Sequence, residues 1–182
     1  MTEERIGTSR RAVFMEGVHD GVPIALGYFV VAFTLGILAK TAGLTAWQGF
    51  VTSAVNIASA GEYAGFTVIA ANAPYLEIAV LTLVANARYF LMSAALTQRF
   101  SPETPLLHRL AVSFGVTDEI FGITVARGGM VHPYYNYGAL AISVPAWSAG
   151  TSAGILAGGV LPATAVSALS VALYGMFVWV IL

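Results

Sequence analysis

The stretch SFGVTDEIFG, residues 113–122, sets two carboxylates, Asp118 and Glu119, side by side in an apolar run. Arg88 stands in a second such run, and Glu62 in a third, within NIASAGEYAG at 56–65. Acids and a guanidinium among apolar residues can pair with each other, hold a charged solute or carry a proton. A lone charge at a bilayer centre costs about 2.5–3.5 kcal/mol on insertion scales, so these groups are expected to share that cost by pairing. Arg88 with Asp118 is the favoured pair; Glu119 and Glu62 are the other candidate partners. Neighbouring residues on a helix point in different directions, so Asp118 and Glu119 cannot both face one partner. Asn56, Asn86 and Thr117 lie at the same expected depth, and Ser59 and Gly61 mark a break beside Glu62. The bland alternative is an ion pair that only fixes helix register, since buried pairs seldom add stability. Intramembrane ionisable groups more often mark a solute or proton path.

The elements that would position these residues are membrane helices. The chain has 182 residues, 58% hydrophobic and 9% charged, with mean hydropathy +0.80. Soluble domains carry about 25% charged residues. Residues 21–39, 41–61 and 128–182 contain no charge, and a membrane helix needs about 20 mostly apolar residues. The continuous runs exclude barrel strands, which alternate polar and apolar. The fold class expected is all-α: a polytopic integral membrane helical bundle of about six hydrophobic segments, read as one domain over 1–182. Residues 10–20 read as a short amphipathic surface helix, closed by Asp20-Gly21-Val22-Pro23. Spans are expected at about 22–39, 46–71 (too long for one crossing, hence broken near 59–61 or re-entrant), 74–98, 105–127, 138–160 and 163–182. Thr104 caps the fourth, with Pro105 at its first helical position. Pro145 is expected to kink the fifth. The ending GMFVWVIL has no polar flank and reads as a shortened C-terminus.

The charges fit this frame. Glu77 and Arg99 flank the third segment and Arg109 and Arg127 the fourth, each pair about 30 Å apart along a helix. Arg88 and Asp118 are the midpoints. Gly150-Thr-Ser152-Ala-Gly154 matches the G-x-S-x-G nucleophile pattern, but it lies in an apolar helix with no His after it. Small residues packing on another helix explain it better. His19, His108 and His132 lack metal-ligand spacing, and there is no cysteine. No catalytic set, metal site or cofactor is expected, and no basic cluster points to nucleic acid. Trp47, Trp147 and Trp179 read as interfacial or packing residues, with Trp147 closest to the kink.

If every segment crosses once from a cytoplasmic N-terminus, the basic residues divide four inside to three outside. If 46–71 is a re-entrant hairpin, the division is five to two, which the positive-inside rule prefers. Gly36-Ile37-Leu38-Ala39 recurs as Gly154-Ile155-Leu156-Ala157. With the hairpin the copies would be inverted, as in many transporters.

Four stretches carry a family resemblance: GVPIALGYFVVAFTLGILA at 21–39, ASAGEYAGF at 58–66, ANARYFLMSAAL at 85–96 and VTDEIFGI at 116–123. With GILAGGVLP from 154, they resemble the azaleucine-resistance (AzlC-like) family of bacterial branched-chain amino acid permeases. Glu62 stands where many members have Gln, and Tyr89 where many have His. The resemblance implies export of leucine, isoleucine, valine or their analogues across the bacterial inner membrane. It also implies a small AzlD-like membrane subunit as partner, and further spans beyond residue 182. The residues alone support a small-solute transporter with a charged midplane site, where Arg88 takes a carboxylate and Asp118 or Glu62 an ammonium or a proton. Two readings compete. An intramembrane aspartyl enzyme would need a second midplane Asp. A structural subunit would use its charges only to dock a partner.

Overall fold

The computed structural model describes residues 9–72 and 74–160, with the single positions 164, 168 and 171. Among these residues there are eight helices: α1 (Arg10–Thr41), α2 (Ala46–Val55), α3 (Ser59–Ala70), α4 (Tyr75–Ala85), α5 (Arg88–Thr97), α6 (Leu106–Phe114), α7 (Asp118–Val125) and α8 (Pro133–Ala157). The described residues contain no strand. Two helices, α1 and α8, are long and apolar enough to cross a membrane, and α4 with α5 makes a third if they form one broken span. The others are half-length. The expected sixth segment, with Trp179, lies almost wholly outside the described residues.

The sequence marks several boundaries locally. Gly43 ends α1 with φ +82°. Its N–H reaches the Lys40 carbonyl at 3.0 Å, and Leu44 N–H reaches Ala39 at 3.1 Å. This is the pair of bonds that closes a helix at a left-handed residue, a conformation glycine adopts without strain. Thr45 and Gln48 then cap α2 reciprocally. Gln48 N–H donates to Thr45 Oγ1 at 3.3 Å, and Thr45 N–H donates to Gln48 Oε1 at 2.9 Å, satisfying two donors that a helix start leaves open.

Four expectations need correction. The surface helix at 10–20 is not separate: α1 runs unbroken through Asp20 and Pro23. The second segment breaks at 56–58, ahead of the expected 59–61, and Ser59 opens α3. The third segment is also interrupted, at Asn86-Ala87. The fourth is not one span: α6 stops at Phe114 and α7 starts at Asp118, with Pro105 rather than Thr104 in the cap position. The apolar runs are continuous across these breaks, so hydropathy alone does not reveal them.

The chain divides into two compact units, 1–25 with 88–143 and 26–87 with 144–182. Both α1 and α8 give their first halves to the first unit and their second halves to the second.

In the first unit, α6 and α7 form a broken hairpin beside α5. Arg109, in the first turn of α6, donates to the carbonyls of Thr97 (3.3 Å), Ser101 (2.8 Å) and Thr104 (3.1 Å). Arg99, just past α5, donates to the carbonyls of Val125 and Arg127 at the end of α7. Each arginine thereby supplies the donors that a helix C-terminus lacks. Both open ends of the hairpin thus lie at the C-terminal end of α5, while Asp118 meets Arg88 at its N-terminal end. Arg109 and Arg127 therefore do not lie on opposite sides of one crossing, as the spacing suggested. Arg127 also pairs with Glu16 of α1 at 2.7 Å, which puts Arg99, Arg109 and Arg127 at the end of the unit where α1 begins. Leu96, Phe100, Val112, Val116, Val131 and Tyr135 form its apolar core.

In the second unit α8 presents Gly150 and Gly154 to α1, and the turn that follows presents Gly158. A Cβ on Gly154 would strike the Phe33 carbonyl and lie 2.9 Å from Gly36 Cα. A Cβ on Gly150 would lie 3.0 Å from Ala32 Cβ. The G-x-S-x-G stretch is thus a small-residue packing face. Contacts rise along both segments together, from Phe29 and Gly150 to Ile37 and Gly158, so the helices run parallel. The two Gly-Ile-Leu-Ala copies lie side by side in the same direction and are not an inverted pair. A parallel α1 and α8 are separated by an odd number of crossings, whereas the single-hairpin topology gave an even number.

Candidate functional site

Every candidate path residue falls at a helix break or in the first turn after one. Asn56 ends α2; Ser59, Gly61 and Glu62 lie in the first turn of α3; Asn86 ends α4; Arg88 opens α5; Thr117 caps α7, and Asp118 and Glu119 begin it. Broken helices leave N–H and C=O groups open at their ends, which is how discontinuous membrane helices build solute sites.

The first unit holds the expected ion pair. Arg88 Nη2 lies 2.7 Å from Asp118 Oδ2, with both side chains partly exposed. Thr117 fixes where α7 begins: its extended backbone and its side chain, accepting from Ile120 N–H at 3.3 Å, form an N-cap. Asp118 then occupies the first helical position, where the positive end of the helix dipole favours an anion. Arg88 is placed the other way. It is a cation at the start of α5, where the dipole opposes it, so that end has a surplus of positive potential. The Arg88 guanidinium also stacks over the Tyr89 ring, 5.2 Å from its centroid, and Nη2 reaches the Tyr89 hydroxyl at 3.4 Å. Its Nε is buried and has no acceptor among the described residues. Glu119 is exposed, so the two adjacent acids do face different surroundings. Asp118 is met by an arginine rather than by a second aspartate.

The second unit holds Glu62, which is completely buried. Oε1 accepts from the Trp147 indole N–H at 2.6 Å, and Oε2 lies 2.9 Å from Ser53 Oγ. Ser53 Oγ is in turn 2.8 Å from Thr151 Oγ1. Trp147 is held by an edge-on contact with Tyr28, centroids 5.2 Å apart. On the preceding residue of α3, Gly61 meets Asn86: a Cβ there would lie 2.7 Å from Asn86 Nδ2. Asn86 Oδ1 is buried with no donor among the described residues. Asn56 and Ser59 are half-buried at the ends of the α2–α3 break.

Sequence reasoning missed Ser53 and Thr151, noted Tyr89 only as a departure from the family pattern, and marked Trp147 only as near a kink. An indole N–H in an apolar helix needs an acceptor, and that was the one usable signal. Ser53 and Thr151 are common helix residues, and only the fold brings them to Glu62.

Comparison with known proteins gives a family match over residues 23–161, to the model described as AzlC protein. An "Uncharacterized membrane protein" of Archaeoglobus fulgidus is 29% identical over 153 residues, 84% of this chain and 66% of its own length. The "Inner membrane protein YgaZ" of Escherichia coli is 32% identical over 117 residues, 64% of this chain and 47% of its own length. The chain thus spans about half to two thirds of these relatives. No solved structure matches it significantly.

Proposed function

From the premise that the chain belongs to the AzlC family of membrane proteins, we propose that it is a transporter subunit exporting branched-chain, neutral amino acids. It would work with a small AzlD-like membrane subunit and draw on protons or the membrane potential. The observation that carries this reading is the Arg88–Asp118 pair, which joins the starts of two half-helices. An amino acid brings one carboxylate and one ammonium. Arg88, with the open N–H groups of α5, suits the carboxylate. Asp118, released from Arg88, suits the ammonium. The pair thus holds both charges of the empty site in mutual compensation until a zwitterion takes its place.

The basic residues support an orientation. Arg10 and Arg11 begin α1, and Arg99, Arg109 and Arg127 lie at the same end of the first unit. Lys40 is at the far end of α1, about 45 Å away along the helix. By the positive-inside rule, the end rich in arginine is cytoplasmic. We therefore place the protein in the bacterial inner membrane with its N-terminus inside and α6–α7 re-entrant from the cytoplasm. By sequence this arrangement divides the basic residues six inside to one outside, against five to two for the single hairpin and four to three for simple crossings.

The test is efflux of preloaded labelled isoleucine from cells expressing the chain alone, with an AzlD-like subunit, or as Asp118→Asn and Arg88→Gln variants. The reading expects efflux that needs the partner and is lost in both variants at equal membrane abundance. Variants that export as well as the parent refute the site. Efflux of neither isoleucine, leucine nor valine, from the chain or from its longer relatives expressed alike, refutes the substrate.

A further inference from the structure

The Arg88–Asp118 pair leaves the buried Glu62 without a task. Among the described residues of its unit, no cation meets it: Lys40 is exposed at the end of α1, and the other acid, Glu77, is exposed on α4. The remaining ionisable groups on these elements within the unit are Tyr28 on α1, Tyr63 on its own helix and the exposed Tyr75 at the start of α4. From α2 and α8 it meets the neutral Ser53, Thr151 and Trp147. A carboxyl group taken out of water without a cation is costly in its charged form, so its hydrogen bonds decide what it can be.

Those bonds form a line that works in both directions. Ser53 has one proton and two oxygens in reach, Glu62 Oε2 at 2.9 Å and Thr151 Oγ1 at 2.8 Å. With Glu62 protonated, Oε2–H donates to Ser53, Ser53 donates to Thr151, and Thr151 donates to the Trp147 carbonyl at 3.4 Å. With Glu62 ionised, Thr151 donates to Ser53 and Ser53 donates to Oε2. Trp147 N–H serves Oε1 in either case. Hydroxyls turn freely, so the site gains or loses a proton without moving a heavy atom. Glu62, Ser53 and Thr151 are all fully buried, so a proton held there is shut off from water. The nearest irregular backbone is the break at 56–58, between Ser53 and Glu62. Movement of that break is the route by which water would reach the carboxyl group.

We propose that Glu62 is a proton-binding site, loaded and emptied by water at the 56–58 break while the Ser53–Thr151 line turns to suit either state, and that it couples substrate movement to a proton gradient. The coupling half rests on the transport reading above; the proton-binding half does not.

Trp147 reports on both states, because its indole N–H donates either to a carboxylate or to a neutral acid. The experiment uses the full chain in lipid nanodiscs, with Trp47→Phe and Trp179→Phe leaving Trp147 as the emitter. Emission is followed from about pH 4 to pH 10, a range that spans ordinary and displaced carboxyl titrations. One titration step is expected, and it is expected to vanish in Glu62→Gln. Glutamine fits the protonated geometry, since its amide donates to Ser53 and its carbonyl accepts from Trp147. Flat emission in folded protein, or a step that survives Glu62→Gln, overturns the proposal. In proteoliposomes carrying the AzlD-like subunit, Glu62→Gln should keep isoleucine exchange and lose flux driven by a pH gradient. Flux that still follows the pH gradient in this variant overturns the coupling. A titration step in a protein that carries no amino acid supports the proton site and overturns the transport reading instead.

Discussion

A methyl group added at Gly154 should loosen the α1–α8 contact, while the same methyl at Gly27 should not. In Gly154→Ala the new carbon meets the Phe33 carbonyl and lies 2.9 Å from Gly36 Cα. Carbon atoms prefer about 3.5–4.0 Å, so the helices must part by roughly 1 Å locally. Neither obstacle is a side chain that can rotate away; both are backbone of a continuous helix. Overpacking of this kind costs about 1–3 kcal/mol. Alanine returns up to about 1 kcal/mol through its higher helix propensity. The net expectation is destabilisation by about 1–2 kcal/mol. At Gly27 nothing lies within 4 Å of the added carbon, so only the propensity term remains, and Gly27→Ala should be neutral or stabilised by up to about 1 kcal/mol. The two variants make one chemical change in two long helices, with opposite signs expected. Reversible unfolding of the detergent-solubilised protein by SDS, followed by circular dichroism, measures both. Equal stabilities, or a more stable Gly154→Ala, would refute the parallel glycine contact and with it the correction to the inverted repeat.

Two further outcomes test the breaks themselves. Gly61→Ala should disturb the α3–α4 contact, because its methyl would lie 2.7–2.8 Å from the Asn86 amide atoms; adding Asn86→Ala should restore most of the loss, and a simple sum of the two effects would show that the contact is absent. The chain has no cysteine, so single cysteines report sidedness cleanly: Glu103→Cys and Met130→Cys should react with an impermeant thiol reagent from the same side, and Thr41→Cys from the other, whereas labelling of 103 and 130 from opposite sides would mean that α6–α7 crosses.

The sequence made the class of fold and the charged pair legible for the same reason. Water is absent around these segments, so a charge stands out against apolar neighbours and has few partners to choose from. That was enough to pair Arg88 with Asp118. The depth argument behind the pair, however, assumed straight spans with Arg109 and Arg127 at opposite ends. The structure places both arginines at the same end, each donating to carbonyls or pairing with an acid there. The midpoint rule therefore found the residue without describing the path of the chain. A re-entrant half-helix and half of a crossing helix have the same composition, because both avoid water. Only the polar groups that close their ends distinguish them, and those bonds join residues far apart in sequence.

The same limit explains Glu62. Its type and its position in a glycine-rich stretch mark it as unusual, but the residues that decide its chemistry come from three other places in the chain. Ser53 is on α2, Trp147 and Thr151 are on α8, and Tyr28, which holds Trp147, is on α1. The two acidic sites then separate by chemistry. Asp118 has an arginine at 2.7 Å, is partly exposed and sits at a helix start, all of which favour a fixed negative charge that can exchange one cation for another. Glu62 has only neutral donors and no exposure, which favours a group that changes its own charge. On the proposed reading, pairing Asp118 with Arg88 and leaving Glu62 among hydroxyls would divide solute binding from proton binding between two half-helix starts. A single Asp118→Asn change should therefore abolish efflux at every pH, while Glu62→Gln should alter only how that efflux answers to pH.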